Sequence, residues 1–193
     1  MKLNTPNKLT IARIILTPIF MATLMIDFKY HFLVSVIVFA IASFTDYVDG
    51  NMARKCGLVT DFGKFLDPLA DKMLTTAALI GFIAMGIGWQ ITWIVFIVLF
   101  REFMIASLRL VTVSSGGKVV AANMWGKAKT VSQMAAILFA LISQVLIVDF
   151  GITSIADACS VITDILLWIS AVLCINSGAI YLVACKDYID PSK

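Results

Sequence analysis

Charge is scarce in this chain. Of its 193 residues only 14% are Asp, Glu, Lys or Arg, where a soluble domain carries about 25%. With 61% hydrophobic residues, an ordinary water-exposed globule is excluded and a membrane protein is expected. Cysteine is also sparse: Cys56, Cys159, Cys174 and Cys185 show neither paired metal-ligand spacing nor a disulfide framework, so packing is their reading. Histidine occurs once, and His31 lies near the extracytoplasmic end of an apolar run, where snorkelling explains it better than cytoplasmic chemistry. The apolar runs lack the alternation of a membrane barrel and many exceed its strand length of about 10 residues. Internal repeats and low-complexity linkers are lacking too, so residues 1–193 read as one domain. Met1 to Phe28 has no small-residue cleavage site and reads as an uncleaved first helix, not a secretory signal. No nucleic-acid partner is expected.

What is present is a series of runs long enough to cross a hydrocarbon core, for which a helix needs roughly 20 residues. Leu9 to Phe28, His31 to Asp49, Asp67 to Met85, Ile91 to Val113, Val131 to Val148 and Ala158 to Ala184 predict an all-α, polytopic membrane protein with six transmembrane helices. An even number of spans places both termini on one side. Putting the N-terminus, the links over 50–66 and 114–130 and the C-terminus in the cytoplasm gathers every basic residue but Lys29 at or near that side, satisfying the positive-inside tendency. The net charge of +3 also suits anionic headgroups, although topology alone accounts for it. Trp89, Trp93, Trp125 and Trp168 fit an interfacial belt.

Against this background the stretch "TDYVDGNMARKCGLVTDFGKFLDPLADK" holds Asp46, Asp49, Asp61, Asp67 and Asp71 at the cytoplasmic edge. Carboxylates at the rim of membrane helices are unfavourable and so point to function. At about 100° per residue, Asp46, Asp49, Gly50 and Ala53 share an arc of roughly 100° at the end of the second helix. Gly63, Asp67 and Asp71 share roughly 80° near the start of the third. A short link containing Gly57 makes the helices neighbours, so the two acidic faces can converge. Such a cluster demands protons or cations, and an all-oxygen donor set without Cys or His suits Mg²⁺ or Mn²⁺. Two ions about 3.5 to 4 Å apart could clamp the attacking and leaving oxygens of a phosphoryl displacement. Gly50, Ala53 and Gly63 leave room for a flat ligand or for close helix packing. Arg54 can face a diphosphate or pair with Asp61, which can itself cap the third helix. Pro68 is read as marking that helix's start.

As spacing, Asp46-x2-Asp49-Gly50-x2-Ala53-Arg54-x8-Gly63-x3-Asp67-x3-Asp71 resembles the signature of the CDP-alcohol phosphatidyltransferases at all eight positions over 26 residues. The resemblance implies transfer of a phosphatidyl group from a CDP-linked lipid to an alcohol with release of CMP. It implies two divalent cations, Mg²⁺ or Mn²⁺, on Asp46, Asp49, Asp67 and Asp71, with Asp46 and Asp67 bridging and Asp71 also the general base. Asp49, Gly50, Ala53, Arg54 and Gly63 would hold the CDP-lipid. A homodimer in the cytoplasmic membrane with its active site facing the cytoplasm is implied as well.

Outside the signature, "NKLTIARI", "REFMIASLRL" and "GKAKT" resemble parts of the bacterial phosphatidylglycerophosphate synthases. CDP-diacylglycerol and glycerol 3-phosphate are then the expected substrates. A phosphorylated acceptor needs cations, for which Lys64, Arg109, Lys127 and Lys129 are candidates, with Arg13 and Arg101 deeper possibilities. Arg101 can instead pair with Glu102 inside the bundle. Inositol phosphate, serine or a second lipid are alternative acceptors. A cation-coupled transporter is the reading from another class, opposed by the clustering of the acids at one membrane face.

Overall fold

A computed structural model describes residues 5–56, 61–114 and 124–186, with the backbone course alone at 5–6, 46–56, 61–65, 67 and 71. Six long helices make up almost all of it: α1 (Thr5–Met25), α2 (His31–Cys56), α3 (Asp61–Met85), α4 (Ile91–Ser114), α5 (Met124–Gln144) and α6 (Ala156–Ala184). No strand occurs among the described residues. Asn7–Met25, Pro68–Met85, Met124–Asp149 and Thr153–Ala184 are long and apolar enough to cross a membrane, and His31–Thr45 is a shorter apolar helix. The all-α membrane architecture expected from the apolar runs is therefore present. α5 runs on into a π-helical turn, Val145–Asp149, before a 3₁₀ turn, Thr153–Ile155, leads into α6.

The chain divides into two compact units, one built from the sequence up to Ile87 with Ile137–Ser160, the other from Gly88–Ala136 and the sequence from Val161 on. In the first, α1 packs on both α2 and α3. Phe20 meets Phe39 with ring centroids 5.4 Å apart, and three residues further along α1 the Thr23 hydroxyl accepts a hydrogen bond from Ser35, four residues back along α2, at 3.1 Å. The two helices thus run antiparallel. Gly81 of α3 lies so close under Leu24 of α1 that a methyl group there would overlap the leucine side chain, with Met21 Sδ 3.9 Å from the same point. Small residues at such contacts let helices approach where no hydrophobic driving force separates lipid from protein. The far end of this unit is tied by Asp149, whose Oδ2 accepts the Leu33 N–H at 2.7 Å in the first turn of α2, where helical donors have no internal partner.

In the second unit α6 buries Thr163, Leu167, Ser170, Cys174, Ser177 and Tyr181, a stripe at alternating steps of four and three, while Val161, Ile165, Ile169 and Val172 are exposed. That division, small and polar inward and branched apolar outward, is the one a helix takes when lipid covers its outer face. α4 exposes Phe96, Phe100 and Phe103 in the same way. The turn before α4 has Gly88 at φ +97°, a conformation that favours glycine, and a Cβ there would also press on Leu167 Cδ1 at 2.8 Å. Asp164 secures that turn by accepting the Trp89 N–H at 2.7 Å.

Two expectations change. Pro68 stands eight residues into α3, not at its start, because the helix begins at Asp61; a proline there leaves the carbonyl four residues earlier without its helical donor. His31 does not snorkel: it is buried, its ring 4.1 Å from that of Phe32 and 6.0 Å from that of Phe28.

Candidate functional site

The signature residues lie on two helices of one unit. Asp46, Asp49, Gly50, Ala53 and Arg54 fall in the last turns of α2, and Asp61, Gly63, Lys64, Asp67 and Asp71 in the first turns of α3. The intervening Gly57 lies outside the described residues, as do Lys2, Lys118 and Lys193. α2 and α3 are in contact with one another, and both contact α1. Because only residues 57–60 separate α2 from α3, the two acidic segments occupy consecutive helix ends within one compact unit. Every candidate donor in them is a carboxylate oxygen, a hard donor set that fits Mg²⁺ or Mn²⁺ and not a thiol-seeking metal.

A third element contributes polar groups that sequence reasoning passed over or left in the background. α1 buries Asn7, Thr10, Arg13 and Thr17, followed by Phe20 and Leu24, all at helical steps of three or four and so on one face. The face is polar in its first half and apolar in its second. Arg13 is 2% exposed. Asn7, Thr10 and Arg13 each take part in polar interactions, and Thr17 donates its hydroxyl to the Arg13 carbonyl at 2.9 Å. The signal was the spacing of Asn7, Thr10 and Arg13 in "NKLTIAR"; what sequence does not supply is that this face turns inward.

The second unit carries its own charged network. Arg101 Nη1 donates to Glu102 Oε1 at 2.9 Å, and Nη2 donates to the Ser177 hydroxyl of α6 at 2.7 Å. Lys129 of α5, 7% exposed, donates to the same Glu102 Oε1. The intramembrane pair expected at Arg101 and Glu102 is thus present and joins three helices. Arg101 packs across Gly178, where a Cβ would stand 3.1 Å from Arg101 Cγ and 3.1 Å from Met104 Cε. One carboxylate between two cations leaves net positive charge, while low dielectric makes each contact strong.

The four cations singled out for an anionic acceptor are therefore placed differently. Lys129 is engaged by Glu102. Arg109 is exposed, its guanidinium carbon 5.8 Å from the ring centroid of Tyr181. Lys127 is exposed on α5. Lys64 lies on α3, in the other unit. Of the described cysteines, Cys174 and Cys185 are buried and free as expected, while Cys159, also free, is half-buried.

Comparison with known proteins gives a consistent result. A family profile described as CDP-alcohol phosphatidyltransferase matches residues 3–176. A Bacillus subtilis protein named CDP-diacylglycerol--glycerol-3-phosphate 3-phosphatidyltransferase is 42% identical over 187 residues, covering 91% of this chain and 91% of its own. A protein of the same name from Rickettsia bellii is 36% identical over 193 residues, with 96% and 97% covered. Another, from Salmonella paratyphi A, is 37% identical over 142 residues, covering 73% of this chain and 78% of its own.

Proposed function

Since the chain belongs to the CDP-alcohol phosphatidyltransferase family, we propose that it transfers the phosphatidyl group of CDP-diacylglycerol to glycerol 3-phosphate, yielding phosphatidylglycerol phosphate and CMP. The observation that carries the choice of acceptor is the near full-length similarity to proteins named for that reaction. The carboxylate-bearing helix segments support the chemistry independently, because a phosphoryl transfer between two anionic reactants needs positive charge and a base at one place.

Asp46, Asp49, Asp67 and Asp71 would hold two divalent cations, Mg²⁺ or Mn²⁺. When bound, the cations supply charge neutralisation on the diphosphate and on the attacking and leaving oxygens. Asp71 accepts the proton of the acceptor's hydroxyl. The freed oxygen forms a bond to the phosphorus that carries diacylglycerol, and the bond from that phosphorus to the CMP oxygen breaks. Asp49 and Arg54 bind the nucleotide-lipid, while Gly50, Ala53 and Gly63 keep side chains out of its way. Lys64, Arg109 and Lys127 are the cations assigned to the acceptor's phosphate; Lys129 joins them only by exchanging Glu102 for the substrate.

The whole chain, 1–193, is taken as one catalytic domain with six spans and both termini in the cytoplasm. It resides in the cytoplasmic membrane, its acids face the cytoplasm where the soluble acceptor is found and CMP is released, and it works as a homodimer. The test is an acceptor panel. Purified protein with CDP-diacylglycerol and Mg²⁺ should release CMP and form a new lipid with glycerol 3-phosphate. Release with inositol phosphate or serine instead would move the assignment to another acceptor, and cation flux in liposomes without CMP release would reject the transferase.

A further inference from the structure

The buried polar face of α1 has no part in the reaction as described so far, and its register places it beside the acids. From the Phe20–Phe39 contact, seven residues back along α1 is Arg13 and seven residues forward along antiparallel α2 is Asp46. Both steps are a rise of about 10.5 Å. α3 follows α2 after only four residues and so returns in the direction of α1; with that direction the Leu24–Gly81 contact gives the matching offset: eleven residues back lie Arg13 and Ala70, the neighbour of Asp71. By the same steps Thr10 is level with Asp49 and Asp67. The two helix contacts thus set Arg13 level with Asp46 and Asp71 and about one helical turn from Asp49 and Asp67 in backbone register, on a face of α1 that is closed to solvent, in a helix packed on both α2 and α3.

A guanidinium removed from water requires anionic or hydrogen-bonding partners. With two divalent cations loaded, the four carboxylates are already neutralised, and a further fixed cation at their level favours an additional anion. The one that must enter there is the diphosphate linking cytidine to the lipid. A planar guanidinium suits it, because its fork of N–H groups can grip two phosphate oxygens at once.

We propose that Arg13 of α1 is a diphosphate-binding residue of the active site, held inside the bundle to recognise the CDP-lipid once the metals occupy the carboxylates. This rests on the transferase reading above and adds a third helix to the site. It also explains why the first half of this face is polar although the helix lies in an apolar run.

The test uses the full-length protein in detergent, with Mn²⁺, CDP and cytidine as probes and thermal unfolding as the control for folding. The wild type should bind CDP in the presence of Mn²⁺ more tightly than cytidine. Arg13→Gln should lower CDP affinity about tenfold or more, leave cytidine affinity unchanged and leave Mn²⁺ binding without nucleotide intact or tighter. Arg13→Lys, which keeps the charge but loses the fork, should restore part of the CDP preference and decides the matter if the glutamine variant does not fold: an undiminished preference in it overturns the proposal. So do equal losses for CDP and cytidine, unchanged CDP affinity in a folded glutamine variant, or loss of Mn²⁺ binding without nucleotide, which would make Arg13 a structural support of the metal centre and not a diphosphate ligand. A wild type that binds neither Mn²⁺ nor CDP would instead refute the transferase site itself, and with it the role of Arg13.

Discussion

At the scale of single residues, chemistry and charge balance are carried by different side chains, and substitutions should separate them. Asp71→Asn keeps the size of the side chain and removes its basicity, so turnover should fall about 10²- to 10⁴-fold while CDP-diacylglycerol binding is largely retained; steady-state kinetics beside a binding isotherm would show this, and unchanged turnover would remove Asp71 from its role as base. Glu102 is the contrary case. It is the carboxylate partner of both Arg101 and Lys129, and Glu102→Gln strips the charge that compensates them. Removing one partner of a fully buried pair destabilises by about 3 to 5 kcal/mol; this network is partly buried, so a smaller downward shift of thermal unfolding in detergent is expected, and an unaltered midpoint would mean that solvent or lipid headgroups replace the carboxylate. The signature aspartates were legible in the sequence because charge is conspicuous in an apolar chain. Arg13 was visible as a charge but not as a wall of the site, since a basic residue near a cytoplasmic helix end is also what topology requires.

At the scale of elements, the long apolar runs anticipate α1 to α6 closely because length and hydropathy are what membrane insertion selects. Helix ends are less well defined by the same criterion: α3 starts at Asp61, ahead of the apolar run at Asp67, since its first turns are polar and form where lipid does not. That extension moves Pro68 into the helix interior and sets it between two signature aspartates. The inward faces depend on close contacts that hydropathy does not register. On α6, Gly178 gives Arg101 and Met104 their space, and Gly178→Leu should force them aside at a loss of about 1 to 3 kcal/mol. A lowered unfolding temperature is the expected outcome; an unchanged one would show that α4 and α6 can separate without penalty.

At the scale of the whole molecule, the proposed six-span topology has a consequence for sidedness: both termini and the acidic segments would share one membrane face, and the turns at 26–30, 86–90 and 150–152 the other. With Cys56, Cys159, Cys174 and Cys185 replaced by serine, single cysteines introduced at position 2 and at position 29 should react with a membrane-impermeant maleimide from opposite sides of sealed vesicles; labelling from the same side would break the assigned topology. The central claim is narrower: α2 and α3 together form one divalent-metal centre that performs the transfer. The most direct measurement is Mn²⁺ binding followed by electron paramagnetic resonance on the purified protein. Two mutually coupled ions per chain, reduced to one or none by Asp46→Asn and by Asp67→Asn alike, is the predicted result. A single isolated ion, or binding indifferent to either substitution, would contradict it.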